Sequence, residues 1–357
     1  MFKDIRFKNK HFKSYGRKYQ GLKHGGNVGE AAKTYGQPEA GWLDLSTGIS
    51  PWMYPIPDIP QQLWRTLPYQ NEHFWRVIAE YYQVTPEIIT AVAGSQGAIR
   101  QMPYLLEPES VAIPAIGYKE HQYSWERAGH RVCLYQSWGE LENLLDQGEV
   151  THCVVINPNN PSAEYVDNTV IEAIYRSVSG YLIIDEAFMD VDERCSFIPY
   201  LPKSMVANNR LIILRSVGKF FGLAGIRLGF ALGCGELIES LRAAVYPWAV
   251  NSPALYIAEC ALSDVAWQQK QRLRIRDQES QLLTLLTSKL PRSCHIVSAG
   301  LFVSIFGPSD TLMPIYQQAV RHAILLREDR LLDQCMWLRV GLPGEQYNRL
   351  ANFIEAL

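Results

Sequence analysis

Net charge is the first thing this sequence lacks. Its 34 Lys and Arg nearly cancel 36 Asp and Glu over 357 residues. That balance excludes a global field that would draw in nucleic acid or an anionic membrane. No apolar run approaches the length of a membrane span. No C-x-x-C pair occurs, and the seven cysteines, Cys133, Cys153, Cys195, Cys234, Cys260, Cys294 and Cys335, are scattered and odd in number. This argues against a disulfide framework or a zinc knuckle and fits thiols in a reducing cytosol, so the expected location is cytoplasmic. No histidine pair has the spacing of a metal-binding helix, so no metal is expected. Internal repeats and low-complexity segments are missing too.

The first 23 residues lack an apolar core of their own. They carry Lys3, Arg6, Lys8, Lys10, Lys13, Arg17, Lys18 and Lys23 against the single acid Asp4. Without an apolar segment this is not a secretory signal, and Arg and Ser are sparse for a transit peptide. It reads as a solvated basic arm.

What is present is ordinary globular composition, 47% hydrophobic and 20% charged. The length predicts one large domain and a smaller one. Short apolar runs at 88–93, 111–114, 153–157, 181–185 and 211–214 read as buried parallel strands. Helical spacing fills the intervals at 98–106, 118–128, 141–144 and 170–178. Alternation of this kind predicts an α/β fold with a mostly parallel, doubly wound sheet and right-handed crossovers. After Phe230 the pattern shifts to a long helix over 267–290 and strand-like runs at 295–297, 301–306, 323–326 and 337–340. The expected organisation is an N-terminal arm (1–70), a large domain (71–250) and a small C-terminal α+β domain (251–357).

Doubly wound sheets bind ligands beyond the carboxyl ends of their strands. Four polar segments follow four of the apolar runs. Gly94-Ser95-Gln96-Gly97 would turn backbone N–H groups and a helix start toward a phosphate. Asn157-Pro158-Asn159-Asn160-Pro161 offers fixed amides, although turn chemistry alone also explains it. Asp185-Glu186-Ala187-Phe188 puts an acid at the buried end of a strand, which is costly unless a cation meets it. A pyridinium N–H is such a cation, and the null alternative is a helix N-cap. Ser216-Val217-Gly218-Lys219 through Arg227 holds Ser216, Lys219 and Arg227 in a glycine-broken loop. Ser216 and Arg227 suit a phosphate, and a desolvated lysine among cations has the lowered pKa that imine chemistry needs. The S-x-x-K pattern of penicillin-binding enzymes is matched by Ser216 and Lys219, but its companion motifs are missing. Gly218-Lys219 is not a P-loop, because Phe220 stands where Ser or Thr is required, and Gly233-Cys234-Gly235 lacks the third glycine of a dinucleotide fingerprint.

In order and spacing, these segments resemble the fold-type-I pyridoxal-phosphate enzymes of the class I/II aminotransferase superfamily from about His24 to the C-terminus. The resemblance implies that Lys219 is the Schiff-base lysine, Asp185 the partner of the pyridine nitrogen, and Asn160 the donor to the ring 3-oxygen and a substrate contact. It implies phosphate-binding roles for Ser95, Gln96, Ser216 and Arg227, and a ring-stacking, catalytic role for Tyr118. Arg339 matches the arginine that binds the substrate carboxylate. The family also implies a homodimer, with no nucleic-acid or membrane partner.

A narrower likeness begins with His24-Gly25-Gly26-Asn27-Val28, followed by Trp42 through Pro51. With Phe188 where aminotransferases more often have tyrosine, and Trp125, Ala128, Gly129 and His130, it is similar to the threonine-phosphate decarboxylases of cobalamin biosynthesis. In that branch His24, Gly25 and Arg327 would contact the substrate. Three positions depart from the pattern: Gly48 for a substrate-binding asparagine, Ser162-Ala163 for Thr-Gly, and Leu67 (with Tyr69 nearby) for a tyrosine offered to the partner's cofactor. The expected reaction is decarboxylation of L-threonine O-3-phosphate to (R)-1-aminopropan-2-yl phosphate. Transamination of a phosphorylated substrate such as histidinol phosphate uses the same residues and stays open, and a non-catalytic regulator would need a DNA-binding module for which the arm is too short.

Overall fold

The computed structural model describes residues 24–201, 209–331 and 334–357, so the basic arm lies outside the described residues. Thirteen strands form three sheets among the described residues. A two-residue parallel ladder joins β1 (Leu43–Asp44) to β11 (Ile324–Leu325). The large sheet holds β2 (Ile89–Val92), β3 (Ser110–Pro114), β4 (Arg131–Tyr135), β5 (His152–Ile156), β6 (Leu182–Asp185), β7 (Leu211–Ser216) and β8 (Gly229–Gly233), in the order β2-β8-β7-β6-β5-β3-β4. The small sheet holds β9 (His295–Ser298), β10 (Phe302–Pro308), β12 (Arg327–Arg330) and β13 (Cys335–Gly341), in the order β12-β13-β10-β9.

The central strands β5, β6 and β7 are buried along their whole length. Their near-continuous Val, Ile and Leu content is what burial on both faces demands. The helices that cover them are α3 (Ser95–Gln101), α4 (Glu120–Arg127), α5 (Trp138–Asp146), α6 (Asn168–Ser177) and α8 (Glu236–Val245). Further helices are α1 (Val28–Tyr35), α2 (Glu72–Tyr82), the single turn α7 (Val217–Phe220), α9 (Ser252–Ser263), α10 (Val265–Lys289), α11 (Ser309–Arg321) and α12 (Tyr347–Glu355). Asn71, Ser137, Asp167, Asn251 and Asp264 cap α2, α5, α6, α9 and α10 by accepting first-turn N–H bonds.

Three details differ from the sequence reading. β8 runs antiparallel to both β2 and β7, so the sheet is mixed at one edge. The change of pattern at Phe230 falls inside β8. Lys219 sits on the single turn α7 rather than in an open loop.

Because β3, β5, β6 and β7 run parallel, the residues that follow them gather at one edge of the sheet. The segment after β1 crosses that edge. Ser50 N–H donates to the Lys219 carbonyl at 2.9 Å and Tyr54 N–H to the Phe221 carbonyl at 2.8 Å. Helix α10 pins the same segment, with Gln271 donating to Ser50 Oγ at 2.6 Å. No described helix is long and apolar enough to cross a membrane.

Candidate active site

A cavity of about 120 Å³ opens at this edge, lined by Gly94, Ser95, Gln96, Tyr118, Ile156, Asn160, Asp185, Ala187, Phe188, Ser216, Lys219 and Arg227. All eight residues read from the sequence as cofactor contacts are therefore brought to one place. Ser95 and Gln96 open α3, Asp185 ends β6, Ser216 ends β7, and Lys219 follows on α7.

Burial pushes the Lys219 ammonium down to about 8, with Arg339 and Arg227 adding to the fall against the pull of Asp185. Roughly a tenth of this amine is thus neutral, and nucleophilic, at pH 7, far more than for an ordinary lysine. Asp185 is 4% exposed. His121 Nε2–H donates to its Oδ2 at 3.0 Å and Ala187 N–H to its Oδ1 at 3.1 Å. A carboxylate accepts up to about four bonds, so capacity remains toward the cavity. Burial also raises the Tyr118 phenol pKa, keeping the ring neutral.

Arg227 lies against Gly94, where a Cβ would stand 2.7 Å from its Nη2, and the turn's φ of 68° favours glycine there. Together with the Ser95 and Ser216 hydroxyls and the N–H groups that open α3, it forms a donor set suited to a phosphate. A low-pKa amine for a carbonyl carbon, a buried carboxylate for a ring N–H, and this phosphate cradle fit pyridoxal phosphate.

Of the expected substrate contacts, Asn160 lines the cavity, whereas Arg339, Arg327, His24 and Gly25 do not. Arg339 Nη1 donates to Asn160 Oδ1, and Nη2 donates to the Ser46 carbonyl at 2.6 Å. Its Nε is buried with no hydrogen-bond partner among the protein atoms. Arg327 is the cross-strand partner of Arg339 in the β12–β13 ladder. Burial, then Arg327, lowers the Arg339 pKa to about 10. His24 stands 6.4 Å from the Tyr118 ring, centroid to centroid, and its Nε2 meets Glu120 at 2.9 Å. Gly25 packs on Ser46.

The departures acquire physical reasons. A Cβ on Gly48 would stand 2.7 Å from the Phe188 ring, so position 48 has no room for an asparagine while Phe188 is in place. Ala163 adopts a φ of 58°, the left-handed region a glycine would occupy without cost. Leu67 and Tyr69 are exposed, at 55% and 72%. Sequence reasoning missed His121 and Phe188 as members of the site. His121 was readable: it lies one helical turn after Tyr118, on the same face. Phe188 sits 5.2 Å from Lys219 Nζ and edge-on to Phe302 at 5.1 Å.

A half-buried lysine of lowered pKa, a buried carboxylate and a phosphate cradle at the strand ends of an α/β sheet fit the pyridoxal-phosphate class of enzymes. The chain belongs to the aminotransferase class I and II family, which matches residues 58–357. It is similar to the threonine-phosphate decarboxylase of Pseudomonas aeruginosa, with 38% identity over 335 residues, spanning 91% of this chain and 94% of that protein. In fold it is similar to histidinol-phosphate aminotransferase from Sinorhizobium meliloti in complex with pyridoxal-5'-phosphate, with a TM-score of 0.80 and 17% identity over 96% of this chain and 99% of that one. The L-threonine-O-3-phosphate decarboxylase from Porphyromonas gingivalis superposes with a TM-score of 0.68 and 19% identity, over 87% and 98% of the two chains.

Proposed function

We propose that this protein is a pyridoxal-phosphate-dependent lyase that decarboxylates L-threonine O-3-phosphate to (R)-1-aminopropan-2-yl phosphate in cobalamin biosynthesis. One observation supports the substrate most. Arg327 and Arg339 face each other across an antiparallel pair. Like charges so placed repel, and burial lowers the Arg339 pKa further. A substrate carrying both a phosphate and a carboxylate would bring negative charge to this pair. The likeness to the Pseudomonas aeruginosa decarboxylase points the same way.

Bound pyridoxal phosphate supplies an electron sink for the pair released when a bond to the amino carbon breaks. The chain's residues do the rest. Lys219 Nζ would hold the cofactor through its carbonyl carbon and give way to the substrate amine, and Lys219 or a water would return a proton to the carbon that lost CO2. Asp185, held by His121, would keep a proton on the ring nitrogen. Tyr118 would give the ring an aromatic wall, and Ser95, Gln96, Ser216 and Arg227 would take the cofactor phosphate. Asn160 would donate to the ring 3-oxygen and contact the substrate, while Arg327, Arg339, His24 and Gly25 would bind and orient it. Phe188 places apolar surface beside Lys219.

The enzyme acts as a cytoplasmic homodimer in this reading. Exposed Trp64, Leu67, Tyr69, Tyr246 and Trp248 offer the apolar surface such a dimer would cover. Sedimentation of the holoenzyme at twice the chain mass is the expected result. The test of the reaction is incubation with L-threonine O-3-phosphate. Release of CO2 with an aminoalcohol phosphate is expected, and Lys219→Ala should abolish both the release and the yellow colour of the holoenzyme. A keto acid that keeps its carboxylate, formed only with an amino acceptor present, would instead establish transamination.

A further inference from the structure

Three side chains at and just before the start of α4 have separate duties. Tyr118 lines the cavity and His121 holds Asp185. Glu120, between them, does neither. Its side chain is 1% exposed, yet both of its partners, Arg100 and His24, are exposed. Arg100 grips it with two bonds, Nε to Oε2 at 3.0 Å and Nη2 to Oε1 at 3.0 Å. That fork already neutralises the buried charge. The third contact, His24 Nε2 to Oε1 at 2.9 Å, is therefore surplus to the stability of the acid. What it does is hold the chain that carries His24.

That chain is docked on the segment supporting Arg339. Gly26 N–H donates to Ser46 Oγ at 2.7 Å. The Gly25 backbone lies so close that a Cβ would stand 2.2 Å from the Ser46 carbonyl oxygen. The same oxygen accepts Arg339 Nη2 at 2.6 Å. A continuous path thus runs from Glu120 through His24, Gly25 and Ser46 to the guanidinium. Ser46 is fixed in turn by Asp44, whose Oδ1 accepts both Ser46 Oγ–H at 2.5 Å and Ser46 N–H at 2.9 Å.

We propose that Glu120 is a positioning residue: through His24 it clamps residues 24–27 onto Ser46 and so sets Arg339 for the anionic substrate. The part of this inference that concerns substrate rests on the function proposed above, whereas the clamp itself does not. The variant Glu120→Gln keeps the shape and removes the charge that holds His24. Hydrogen exchange of the holoenzyme without substrate reads the clamp directly. The Gly26 amide should exchange on the order of tenfold faster in Glu120→Gln, with peptides around Asp185 unchanged. His24→Ala, altered at the exposed end of the pair, should give the same exchange pattern and serves alone where Glu120→Gln does not fold.

Turnover of L-threonine O-3-phosphate gives the second readout. KM should rise on the order of tenfold while kcat and the visible spectrum hold. The double variant should be no worse than His24→Ala. Unchanged Gly26 exchange, additive effects in the double variant, or loss of the visible band with a fall in kcat would each overturn the proposal. A holoenzyme that leaves threonine phosphate untouched would sink the function reading, while the exchange result would still decide the clamp.

Discussion

Two buried charge systems stand back to back at the end of β6, and they follow opposite rules. Asp185 and Glu186 are consecutive, so their side chains leave the strand end on opposite faces. Away from the cavity, Glu186 accepts Arg215 Nη1 at 2.8 Å, Ser196 Oγ–H at 2.7 Å and Phe197 N–H at 2.6 Å. Arg215 reaches on to Asp190 at 2.6 Å. Burial alone would lower the Arg215 pKa, but Asp190 and Glu186 outweigh it and the pKa rises. On the cavity side, Asp185 has two donors among the described residues. Lys219 and Arg339 lie beside other cations, and their pKa values fall to about 8 and about 10. Burial is common to both sides; what differs is the sign of the neighbouring charges. The fold side sets Arg215 against two acids, and the cavity side sets its cations beside other cations, where an anionic ligand is favoured.

Exchanging the two acids for their amides breaks this comparison most directly. Glu186→Gln leaves Arg215 with Asp190 as its remaining acid partner, and losing one side of a buried pair costs about 3–5 kcal/mol. Urea denaturation of the apoenzyme should show that loss. Asp185→Asn should cost far less stability, but kcat should fall on the order of 10²- to 10³-fold, as when a preorganised electrostatic group is removed from a site. Equal stability losses in the two variants would erase the distinction.

The arginines extend the test to cations. Arg215→Met should destabilise the apoenzyme by about 3–5 kcal/mol. Arg339→Met removes a charge that faces Arg327, so apoenzyme stability should hold or improve. Its cost should instead appear in substrate binding, as a KM raised on the order of 30- to 1000-fold.

Lys219 carries the same logic into pH. Its pKa is about 8 in the folded apoenzyme against an ordinary 10.5. Between those values the unfolded chain binds more protons than the folded one, so stability rises with pH across that window. The full rise is roughly 3 kcal/mol, lost again below pH 8, where both states are protonated. Lys219→Met should lack this slope and be the more stable protein at pH 7. Cysteines and tyrosines whose pKa values burial raises contribute the opposite slope, so the readout is the difference between the two proteins. Parallel curves between pH 8 and 10.5 would mean that the lysine is not desolvated.

The strand ends were legible in the sequence for a simple reason, whereas the pairing of Arg215 with Glu186 and Asp190 was not read there. β5, β6 and β7 are unbroken apolar runs, and each ends in a polar residue that only a ligand or a buried partner can excuse. The rest was hidden by strands that do not look like strands. β4 begins with exposed Arg131 and lies at the sheet edge, where burial leaves no clear mark. β8 is flanked by glycines because a Cβ on Gly229 would stand 2.5 Å from the Ser95 nitrogen. β12 reads Arg-Glu-Asp-Arg, which has no apolar alternation at all, and pairing with β13 alone makes it extended. The opposition of Arg327 and Arg339 was therefore invisible before the register was known.

The smallest expected effect sharpens the comparison at single hydrogen bonds. His121 is 1% exposed and donates to Asp185, while Ser196 is its counterpart on Glu186. Each variant, His121→Phe and Ser196→Ala, removes one donor from one buried acid. A bond to a charged group is worth about 1.5–3 kcal/mol, and the two sides should spend it differently. Ser196→Ala should lower stability and leave turnover unchanged, because Glu186 keeps Arg215 and Phe197. His121→Phe should lower kcat on the order of tenfold with KM unchanged. Since His121 reaches the cofactor only through Asp185, His121→Phe combined with Asp185→Asn should be no slower than Asp185→Asn alone. Additive losses in that pair would mean that His121 acts on the cofactor or substrate by a route that bypasses the carboxylate.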